Sequence, residues 1–314
     1  MTYFCSLNTP LDPAEAAAPT TALHRAGFVS ILGRPNAGKS TLLNAIMGEK
    51  VSAVTYKAQT TRHRIFGIYS TDTEQIVFSD TPGMLEANYG LHRSMMRFVH
   101  ESLEDADLLL LLVDATQPGQ AQEALFDILK KTEAPIWLLI NKIDEAKHLQ
   151  IATLREALAL RLPIARTFEI SALHKTGMEE LVPAIIDAMP EHPAFFDKEQ
   201  LSDKSERFFA SEIIREKIFI NYQQEIPYSC EVVIEEFKDT PEIIRIRSEI
   251  YVERLSQKGI LIGKKGEALK VTATQARLEM EQFFGKKVFL ETYVRVKEDW
   301  RNQKHILRSL GYEN

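Results

Sequence analysis

The sequence predicts an α/β protein in which a doubly wound parallel sheet is followed by a smaller α+β domain. Three observations lead to this fold class. The chain has 314 residues, which favours two domains over one. From Phe28 onward, strand-sized apolar runs alternate with helical patterns, as in right-handed βαβ units. Two prolines in "PEHPAFF" (Pro190–Phe196) interrupt that order, and a different order follows.

The first domain is predicted at residues 26–190. Residues 1–25 contain "TPLDPAEAAAPT" without apolar periodicity, which indicates a flexible leader. A glycine-rich turn follows the first strand, and a helical pattern then runs through Ile46. A run such as "DLLLLLVD" is typical of a parallel strand buried on both faces. The predicted strands are "FVSIL", "EQIVFSD", "DLLLLLVD", "APIWLLINK" and "RTFEISA", and "MEELVPAIIDAM" is the last helix.

Residues 191–204 are predicted to be a linker, and residues 205–314 a second domain. A helix is expected over Ser205–Tyr222, followed by the strands "SCEVVIEEF" and "IIRIRSEIYVE". The apolar "ILI" resembles a strand leading into the loop "GKKG". A helix over Glu267–Phe284, the strand "KVFLETYVRV" and a final helix complete the domain.

Composition excludes several classes of protein. No apolar run is long enough to span a membrane, and the N-terminus lacks the pattern of a secretory signal. Two cysteines, Cys5 and Cys230, give no disulfide framework and fit a reducing cytoplasm. The net charge is −6, but residues 254–308 hold 13 basic and 6 acidic residues, a local charge of +7. The two ends of the chain are therefore expected to have different partners.

The segment "GRPNAGKS" (Gly33–Ser40) fits the phosphate-binding pattern G-x-x-x-x-G-K-[ST] between a strand and a helix. Its backbone N–H groups can surround phosphate oxygens, Lys39 can reach the β- and γ-phosphates, and Ser40 can bind Mg²⁺. The predicted phosphate-binding residues are Gly33, Asn36, Ala37, Gly38, Lys39, Ser40, Thr41 and Gly83.

"DTPG" (Asp80–Gly83) ends a strand 40 residues after Ser40. Asp80 is placed to hold Mg²⁺ through water, and the Gly83 N–H to contact the γ-phosphate. A threonine in "YKAQTTRHR" can complete the Mg²⁺ shell and leave after hydrolysis. Thr61 is preferred because it directly precedes Arg62, with Thr60 as the alternative. The residues predicted to bind Mg²⁺ are thus Ser40, Thr61 and Asp80. The residues predicted to change conformation with the nucleotide, called switch residues, are Thr60, Thr61, Arg62, Asp80, Thr81, Pro82, Gly83 and Met84.

"NKID" (Asn141–Asp144) ends the next apolar strand, and "SAL" (Ser171–Leu173) follows "TFEI". A carboxylate at Asp144 can accept hydrogen bonds from N1–H and the 2-amino group of guanine, and adenine has neither donor. All four motifs follow strands, where ligands bind in open α/β sheets. They predict a guanine-nucleotide site, with base-binding residues Asn141, Lys142, Asp144, Ser171, Ala172 and Leu173.

Met84 stands where Ras-like enzymes have the glutamine that orients the attacking water. A thioether cannot orient water, so slow intrinsic hydrolysis is predicted, assisted by a partner or by a monovalent cation. Asn36 is the expected ligand of such a cation.

The loop "GKKG" lacks the Ser or Thr that would hold Mg²⁺. It fits the G-x-x-G loop of a KH domain, which binds the backbone of about four single-stranded nucleotides. A basic turn that only caps a helix is the alternative. The residues expected to bind RNA are Gly263, Lys264, Lys265, Gly266 and Lys270.

Across Phe28–Tyr312 the chain resembles the Era family of bacterial ribosome-associated GTPases. The segments that carry the resemblance are "GRPNAGKSTLLNAI", "KAQTTRHRI", "DTPG", "NKID", "ISAL", "RFFASEIIREKI", "EIPYS", "IGKKG" and "LRSLGY". It implies a P-loop GTPase domain followed by a type II KH domain. It also implies a cytoplasmic monomer that uses GTP, GDP and Mg²⁺, binds 16S rRNA near its 3′ end and acts in 30S subunit assembly. Potassium held by Asn36 and peripheral contact with the inner face of the membrane are further expectations.

Two other functions remain open from the sequence. One is a signalling GTPase whose C-terminal domain binds a protein or a membrane surface. The other is a protein that binds single-stranded DNA, which the 2′-OH of RNA would separate from RNA binding. Trp300, Lys297, Arg301 and Lys304 could contact RNA, although a helix that covers the sheet is the preferred interpretation. Trp137 is predicted to pack in the core.

Overall fold

A computed structural model describes residues 24–117 and 123–313, apart from the side chain of Ala124. The predicted leader at residues 1–25 therefore lies almost wholly outside the described residues. The first domain contains the strands β1 (Arg25–Gly33), β2 (Ile65–Ser70), β3 (Glu74–Asp80), β4 (Leu108–Asp114), β5 (Ile136–Asn141) and β6 (Ile164–Ile170). Its helices are α1 (Lys39–Met47), α2 (Gly90–Glu104), α3 (Glu123–Leu129), α4 (His148–Ala159) and α5 (Met178–Ala188).

These strands form one six-stranded sheet in the order β2-β3-β1-β4-β5-β6. The predicted doubly wound sheet is confirmed, and its neighbouring strands are parallel except that β2 pairs with β3 in the antiparallel direction. Strand β2 was not anticipated at all. Its sequence, "IFGIYS", follows the polar stretch "YKAQTTRHR" directly and is joined to β3 by a short turn that contains Thr71 and Thr73. A short turn brings the chain straight back, which requires antiparallel pairing.

Helices cover both faces of this sheet, as the doubly wound prediction requires. One apolar cluster joins the sheet to α1 and α5, through residues such as Leu42 and Leu181. The other cluster joins it to α2, α3 and α4, through residues such as Val99 and Ile151. The run Leu108–Leu112 in β4 is completely buried between the two layers, which explains its unbroken apolar sequence.

The segment 191–204 lies along the outer edge of β2. Ile68 donates its N–H to the Leu201 carbonyl at 2.9 Å, Ser202 forms a bridge with Gly67, and the Asp203 carboxylate accepts the Phe66 N–H at 2.9 Å. Gln75 fixes the other end of the segment, since its side chain accepts the N–H of Phe195 at 2.7 Å. The segment is thus attached to the first domain along much of its length.

The second domain contains α6 (Glu206–Asn221), α7 (Ile226–Ser229), β7 (Glu231–Asp239), β8 (Ile243–Val252), α8 (Leu255–Ile262), α9 (Glu267–Phe284), β9 (Lys287–Val296) and α10 (Lys304–Ser309). The sheet order is β7-β8-β9, with β8 and β9 parallel. Helices α6 and α9 pack on one face of it through a common apolar cluster. This arrangement is that of a type II KH domain, as predicted.

The segment "ILI" was expected to be strand-like, but it forms the last part of α8. The reason lies at the start of that helix. The Gln257 side chain accepts the backbone N–H groups of Glu253 and Arg254, at 2.9 and 3.0 Å. Satisfying these N–H groups stabilises a helix start. Leu261 is buried, whereas Ile260 is about half exposed.

The two domains meet through a small apolar cluster of Leu91, Met95, Trp300, Leu307 and Tyr312. Trp300 is completely buried here and donates its Nε1–H to the Ser229 carbonyl at 3.0 Å. The expectation that this segment covers the second sheet was therefore wrong, because it packs against α2 of the first domain. Trp137 packs in the core of the first domain, as predicted. Within the described residues, no helix is both long enough and apolar enough to cross a membrane.

Candidate functional site

The predicted phosphate-binding loop joins β1 to α1. Gly38 adopts φ 102°, and a Cβ placed there would lie 2.3 Å from Nδ2 of Asn141. Only glycine allows this approach without strain. The side chain of Asn141 donates to the Ala37 carbonyl at 2.8 Å and accepts a hydrogen bond from the Ala172 N–H at 2.9 Å. One side chain of "NKID" therefore connects the phosphate loop to the "SAL" loop.

Lys39 is buried in this loop and donates to the carbonyls of Gly33 and Arg34, at 3.2 and 2.9 Å. Burial lowers the pKa of Lys39 to about 8, and only the charge of Asp80 opposes this shift. Phosphate groups at the loop would supply the missing negative charge. The loop is thus built to receive an anion.

The three residues predicted to bind Mg²⁺ converge. Ser40 Oγ lies 2.7 Å from Asp80 Oδ2 and 2.9 Å from Thr61 Oγ1, and Thr61 Oγ1 lies 3.5 Å from the same carboxylate oxygen. Ser52 adds a hydrogen bond to Asp80 at 2.7 Å that sequence reasoning did not anticipate. Burial raises the pKa of Asp80 against these hydrogen bonds and the charge of Lys39. The other oxygen, Oδ1, is buried without a hydrogen-bond partner among the described residues. This donor set fits a hydrated Mg²⁺ ion.

The two candidate threonines differ in their surroundings. Thr61 faces Ser40 and Asp80, whereas Thr60 Oγ1 donates to the Lys57 carbonyl at 2.8 Å and lies 2.5 Å from Thr55 Oγ1. The geometry supports Thr61 as the metal-binding threonine. Gly83 lies against Pro35 of the phosphate loop, which places "DTPG" next to the site. Thr81 fixes that turn by donating to the Ile31 carbonyl at 3.0 Å.

Met84 does not face this pocket. Its side chain is 8% exposed and packs in the apolar cluster shared with α2, beside Leu32 and Val99. Asn36 lines the pocket, and its Nδ2 donates to the Tyr56 carbonyl at 2.8 Å. Tyr56 begins the stretch "YKAQTTRHR" (residues 56–64), called the switch segment below. The side-chain amide of Asn36 and a carbonyl of the switch segment therefore lie together at the rim of the pocket.

The predicted base-binding residues lie at the ends of β5 and β6. Lys142 forms an ion pair with Asp114 at 2.6 Å, and Asp144 keeps a quarter of its side chain exposed, 3.6 Å from His174. Ser171 is buried at the start of the following loop, and Leu173 is 70% exposed. Asp144 is accessible to a nucleotide base, and the side chain of Leu173 can cover one face of that base.

The loop Gly263–Gly266 joins α8 to α9 on the second domain. Gly263 has φ 71°, and a Cβ there would lie 2.6 Å from Ala268 Cβ, so glycine is required for this tight approach. Lys264, Lys265 and Lys270 are exposed and form no ion pair within the described part of the chain. Their charges point to solvent beside the exposed start of α9.

The switch segment is bound to the second domain by buried charges that sequence reasoning missed. Arg62 is completely buried and pairs with Glu231 at 2.9 Å, and it also donates to the Cys230 and Pro227 carbonyls at 2.7 and 3.0 Å. The Tyr312 hydroxyl donates to the same Glu231 carboxylate at 2.7 Å. Burial alone would raise the pKa of Glu231, but the charges of Arg62 and Arg215 and the hydrogen bond from Tyr312 together leave that pKa below its usual value.

Further contacts hold α6 against the same segment. Arg215 donates to the Thr60 carbonyl and pairs with Glu212. Lys57 donates to two carbonyls at the end of α6. Lys50, between α1 and this segment, pairs with Glu216 of α6. A lysine or arginine in a polar stretch gives no sign of such distant partners. The one available signal was the unusual density of basic residues in "YKAQTTRHR". Cys230 is buried in this region, and burial raises the pKa of its thiol to about 11, so the thiol stays protonated at neutral pH.

Two family models match the chain. Residues 28–142 match the family described as 50S ribosome-binding GTPase, and residues 225–301 match the KH domain. Among curated proteins, the chain is 44% identical to GTPase Era of Syntrophus aciditrophicus (strain SB), over 95% of this chain and 98% of that protein. It is 43% identical to the chloroplastic GTPase ERA-like protein of Oryza sativa subsp. japonica, over 96% of this chain and 72% of that protein.

Two solved structures share the whole architecture. One is Era in complex with MgGDPNP and nucleotides 1506–1542 of 16S ribosomal RNA, with a TM-score of 0.87, 37% identity, and coverage of 93% of this chain and 100% of that chain. The other is a Tyr-to-Ala variant of Aquifex aeolicus Era bound to GDP and AlF4⁻, with a TM-score of 0.87, 36% identity, and coverage of 92% and 100%. Both domains of the chain are thus matched together by single proteins.

Proposed function

The chain belongs to the Era family of GTPases, and from this premise we propose that GTP controls how its KH domain binds the 3′ region of 16S rRNA during 30S subunit assembly. One observation carries the proposal. Thr61, which faces the Mg²⁺ ligands, is followed directly by Arg62, whose guanidinium is buried in the second domain. A change at the γ-phosphate therefore acts on the contact between the domains. The relative solved with an rRNA fragment supports RNA binding over the signalling alternative.

The test is crosslinking of the full chain to 16S rRNA, once with a non-hydrolysable GTP analogue and once with GDP, followed by sequencing of the crosslinked RNA. We expect crosslinks in the 3′-terminal region that differ in yield between the two nucleotides. Replacing both Lys264 and Lys265 with Asp should abolish them. Crosslinks that survive this double replacement would contradict the role of the loop in RNA binding. Competition with a DNA strand of the same sequence tests whether the protein recognises the 2′-OH of RNA.

We assign the following roles in GTP hydrolysis to residues of this chain. The loop Gly33–Ser40 binds the phosphates through its N–H groups and Lys39. Ser40, Thr61 and Asp80 would hold Mg²⁺, and the bound ion would supply positive charge to the phosphate groups. Gly83 contacts the γ-phosphate. Asp144 and the Ala172 N–H bind guanine, and Asn141 keeps the phosphate loop and the base loop in register. The first test of this set is the nucleotide affinity of single variants.

We propose that Met84 takes no part in the chemistry and that intrinsic hydrolysis is slow. Met84→Leu is expected to change the hydrolysis rate by less than about twofold, because leucine fills a similar buried volume at little cost. Alanine would be a poor probe, because the cavity that it leaves in this cluster would lower the free energy of unfolding by about 2–5 kcal/mol. The measurement is single-turnover GTP hydrolysis, with thermal unfolding as the control for folding. A hundredfold loss in Met84→Leu would assign the thioether a chemical role.

We propose that potassium assists hydrolysis at Asn36, whose side-chain amide lies beside the Tyr56 carbonyl at the rim of the phosphate pocket. Exchanging K⁺ for Na⁺ should slow hydrolysis roughly tenfold, which corresponds to about 1.4 kcal/mol in the barrier. Asn36 has φ 65°, so Asn36→Gly is the suitable variant, since it removes the amide without backbone strain. It should hydrolyse GTP at one slow rate in both salts. Equal rates for the unmodified chain in K⁺ and Na⁺ would exclude the cation.

We further propose that the protein acts as a cytoplasmic monomer on the 30S subunit. The buried contact between its own two domains supports this, since the switch segment finds its partner within one chain. Peripheral contact with the inner face of the membrane stays a prediction from the family resemblance. Sedimentation of the purified chain and of cell lysate fractions would test both statements.

A further inference from the structure

We infer that Tyr222 is a positioning residue through which the nucleotide switch sets the geometry of the Gly263–Gly266 loop. The inference rests on the proposed function, because it presumes that this loop binds RNA. It concerns two polar groups of one residue, the backbone carbonyl and the phenol hydroxyl, which contact different domains.

The hydroxyl of Tyr222 lies between the two helices that flank the loop. It donates to the Leu261 carbonyl at 2.7 Å and accepts a hydrogen bond from Thr272 Oγ1 at 3.3 Å. Leu261 is in the last turn of α8, where carbonyls have no partner within the helix. Thr272 is in α9, and its single hydroxyl proton is shared between Tyr222 and the Ala268 carbonyl, which lies 3.0 Å from Thr272 Oγ1. One hydroxyl thus fixes both ends of the loop relative to each other.

The surroundings make this hydroxyl hard to replace by water. Tyr222 is 6% exposed, Leu261 is completely buried and Thr272 is 1% exposed. Burial raises the pKa of Tyr222, which keeps the hydroxyl protonated as a donor. Gly263, directly after α8, packs so closely on Ala268 of α9 that it has no room for a side chain, and we expect a shift of α8 relative to α9 to alter this contact and the loop that contains it.

The carbonyl of Tyr222 faces the switch segment. Lys57 Nζ donates to it and to the Phe219 carbonyl, at the C-terminal end of α6. A cation at this end of a helix also interacts favourably with the helix dipole. The ammonium of Lys57 therefore holds the end of α6 from which the Tyr222 ring projects toward the loop.

Lys57 in turn is tied to the nucleotide pocket. Its carbonyl accepts from Thr60 Oγ1 at 2.8 Å, and Thr61 next to it lies 2.9 Å from Ser40. When Thr61 leaves the Mg²⁺ site after hydrolysis, Lys57 is drawn away from the end of α6. The Tyr222 ring then loses its fixed position, and the two flanks of the loop are released. The expected consequence is tighter RNA binding in the GTP state.

The experiment measures affinity of the full chain for an RNA copy of nucleotides 1506–1542 of 16S rRNA, with a non-hydrolysable GTP analogue and with GDP. Coupling between two sites typically changes affinity by roughly 5- to 150-fold. We expect a ratio in this range for the unmodified chain and a ratio near one for Tyr222→Phe, which removes only the hydroxyl. GTP hydrolysis without RNA should be unchanged in Tyr222→Phe. Lys57→Met should lose the same ratio, and the double variant should lose no more than either single one.

Tyr293→Phe is the matched control, because Tyr293 is a half-exposed tyrosine on β9 of the same domain. It should keep the ratio. A merely structural role for Tyr222 would weaken RNA binding equally with both nucleotides and leave the ratio intact, which overturns the inference. A ratio lost in Tyr222→Phe but kept in Lys57→Met overturns the link to the switch. If Tyr222→Phe is unstable, Thr272→Val removes the second contact of the hydroxyl and must also lower the ratio.

The outcomes separate this inference from the proposed function. If the unmodified chain binds the RNA in neither nucleotide state, the proposed function fails, and the inference fails with it. If it binds the RNA with a nucleotide-dependent affinity that Tyr222→Phe retains, the proposed function stands and the inference alone is wrong.

Discussion

Replacing Asp144 with asparagine is expected to lower the affinity for GTP by roughly 10²- to 10⁴-fold. In the guanine site proposed above, the carboxylate would accept two charge-assisted hydrogen bonds from the base, each contributing about 1.5–3 kcal/mol. Asparagine presents an amide N–H₂ toward the 2-amino group of the base, so a donor meets a donor. Asp144 is free to make these bonds, because a quarter of its side chain is exposed and its neighbour His174 is 3.6 Å away.

Xanthosine triphosphate provides the specific rescue. Xanthine carries a carbonyl oxygen in place of the 2-amino group, and this oxygen can accept from the asparagine amide. The variant should therefore bind the xanthine nucleotide better than GTP, as measured by titration with fluorescent nucleotides. Asp127→Asn, at an exposed carboxylate on α3, is the control and should not change either affinity. A variant that binds both nucleotides equally weakly would indicate misfolding of the loop instead of altered base recognition.

The second large effect is expected at Arg62. Arg62→Met should destabilise the contact between the domains by about 3–5 kcal/mol, because it leaves the buried carboxylate of Glu231 without its partner. The Cys230 and Pro227 carbonyls lose their donors at the same time. Thermal unfolding should show a lower first transition, and the first domain should retain its nucleotide affinity. Lysine is not a conservative replacement, because it lacks the planar set of donors.

A double variant tests whether the buried charge is the cause. Adding Glu231→Gln to Arg62→Met removes the uncompensated charge and should recover part of the lost stability. Arg155→Met is the matched control, since Arg155 forms an ion pair with Glu169 that is half exposed and contributes less than about 1 kcal/mol. An equal loss in Arg155→Met would mean that burial of the pair does not matter.

The features that could be predicted from the sequence are those that depend on the order of motifs and strands along the chain. Each nucleotide motif follows a strand, and parallel strands bring their ends to one edge, so the meeting of Ser40 with Asp80 and of Asn141 with the phosphate loop follows from order alone. The strand "DLLLLLVD" was equally clear, since five consecutive buried leucines leave no other interpretation.

What the sequence did not reveal depends on distant partners. Strand β2 is short and follows a polar loop, so only its pairing with β3 identifies it. The segment "ILI" reads as a strand by composition, but Gln257 starts a helix before it. Arg62 and Glu231 are 169 residues apart, and no spacing rule connects them. In the sequence alone, a charged residue that becomes buried cannot be distinguished from one that stays at the surface.

The attachment of residues 201–203 to the edge of β2 has a mechanical consequence. Leu201, Ser202 and Asp203 are bonded to the first domain, and Ser205 already caps α6 by accepting the Phe208 N–H at 3.4 Å. Lys204 is the one residue between these two rigid parts. We therefore expect a rotation of the KH domain to change the backbone dihedrals around Lys204, with α6 turning as one rigid element, and to break the hydrogen bond from the Lys204 N–H to Ser202 Oγ. A proline at Lys204 should restrict the range of domain orientations without touching either binding site.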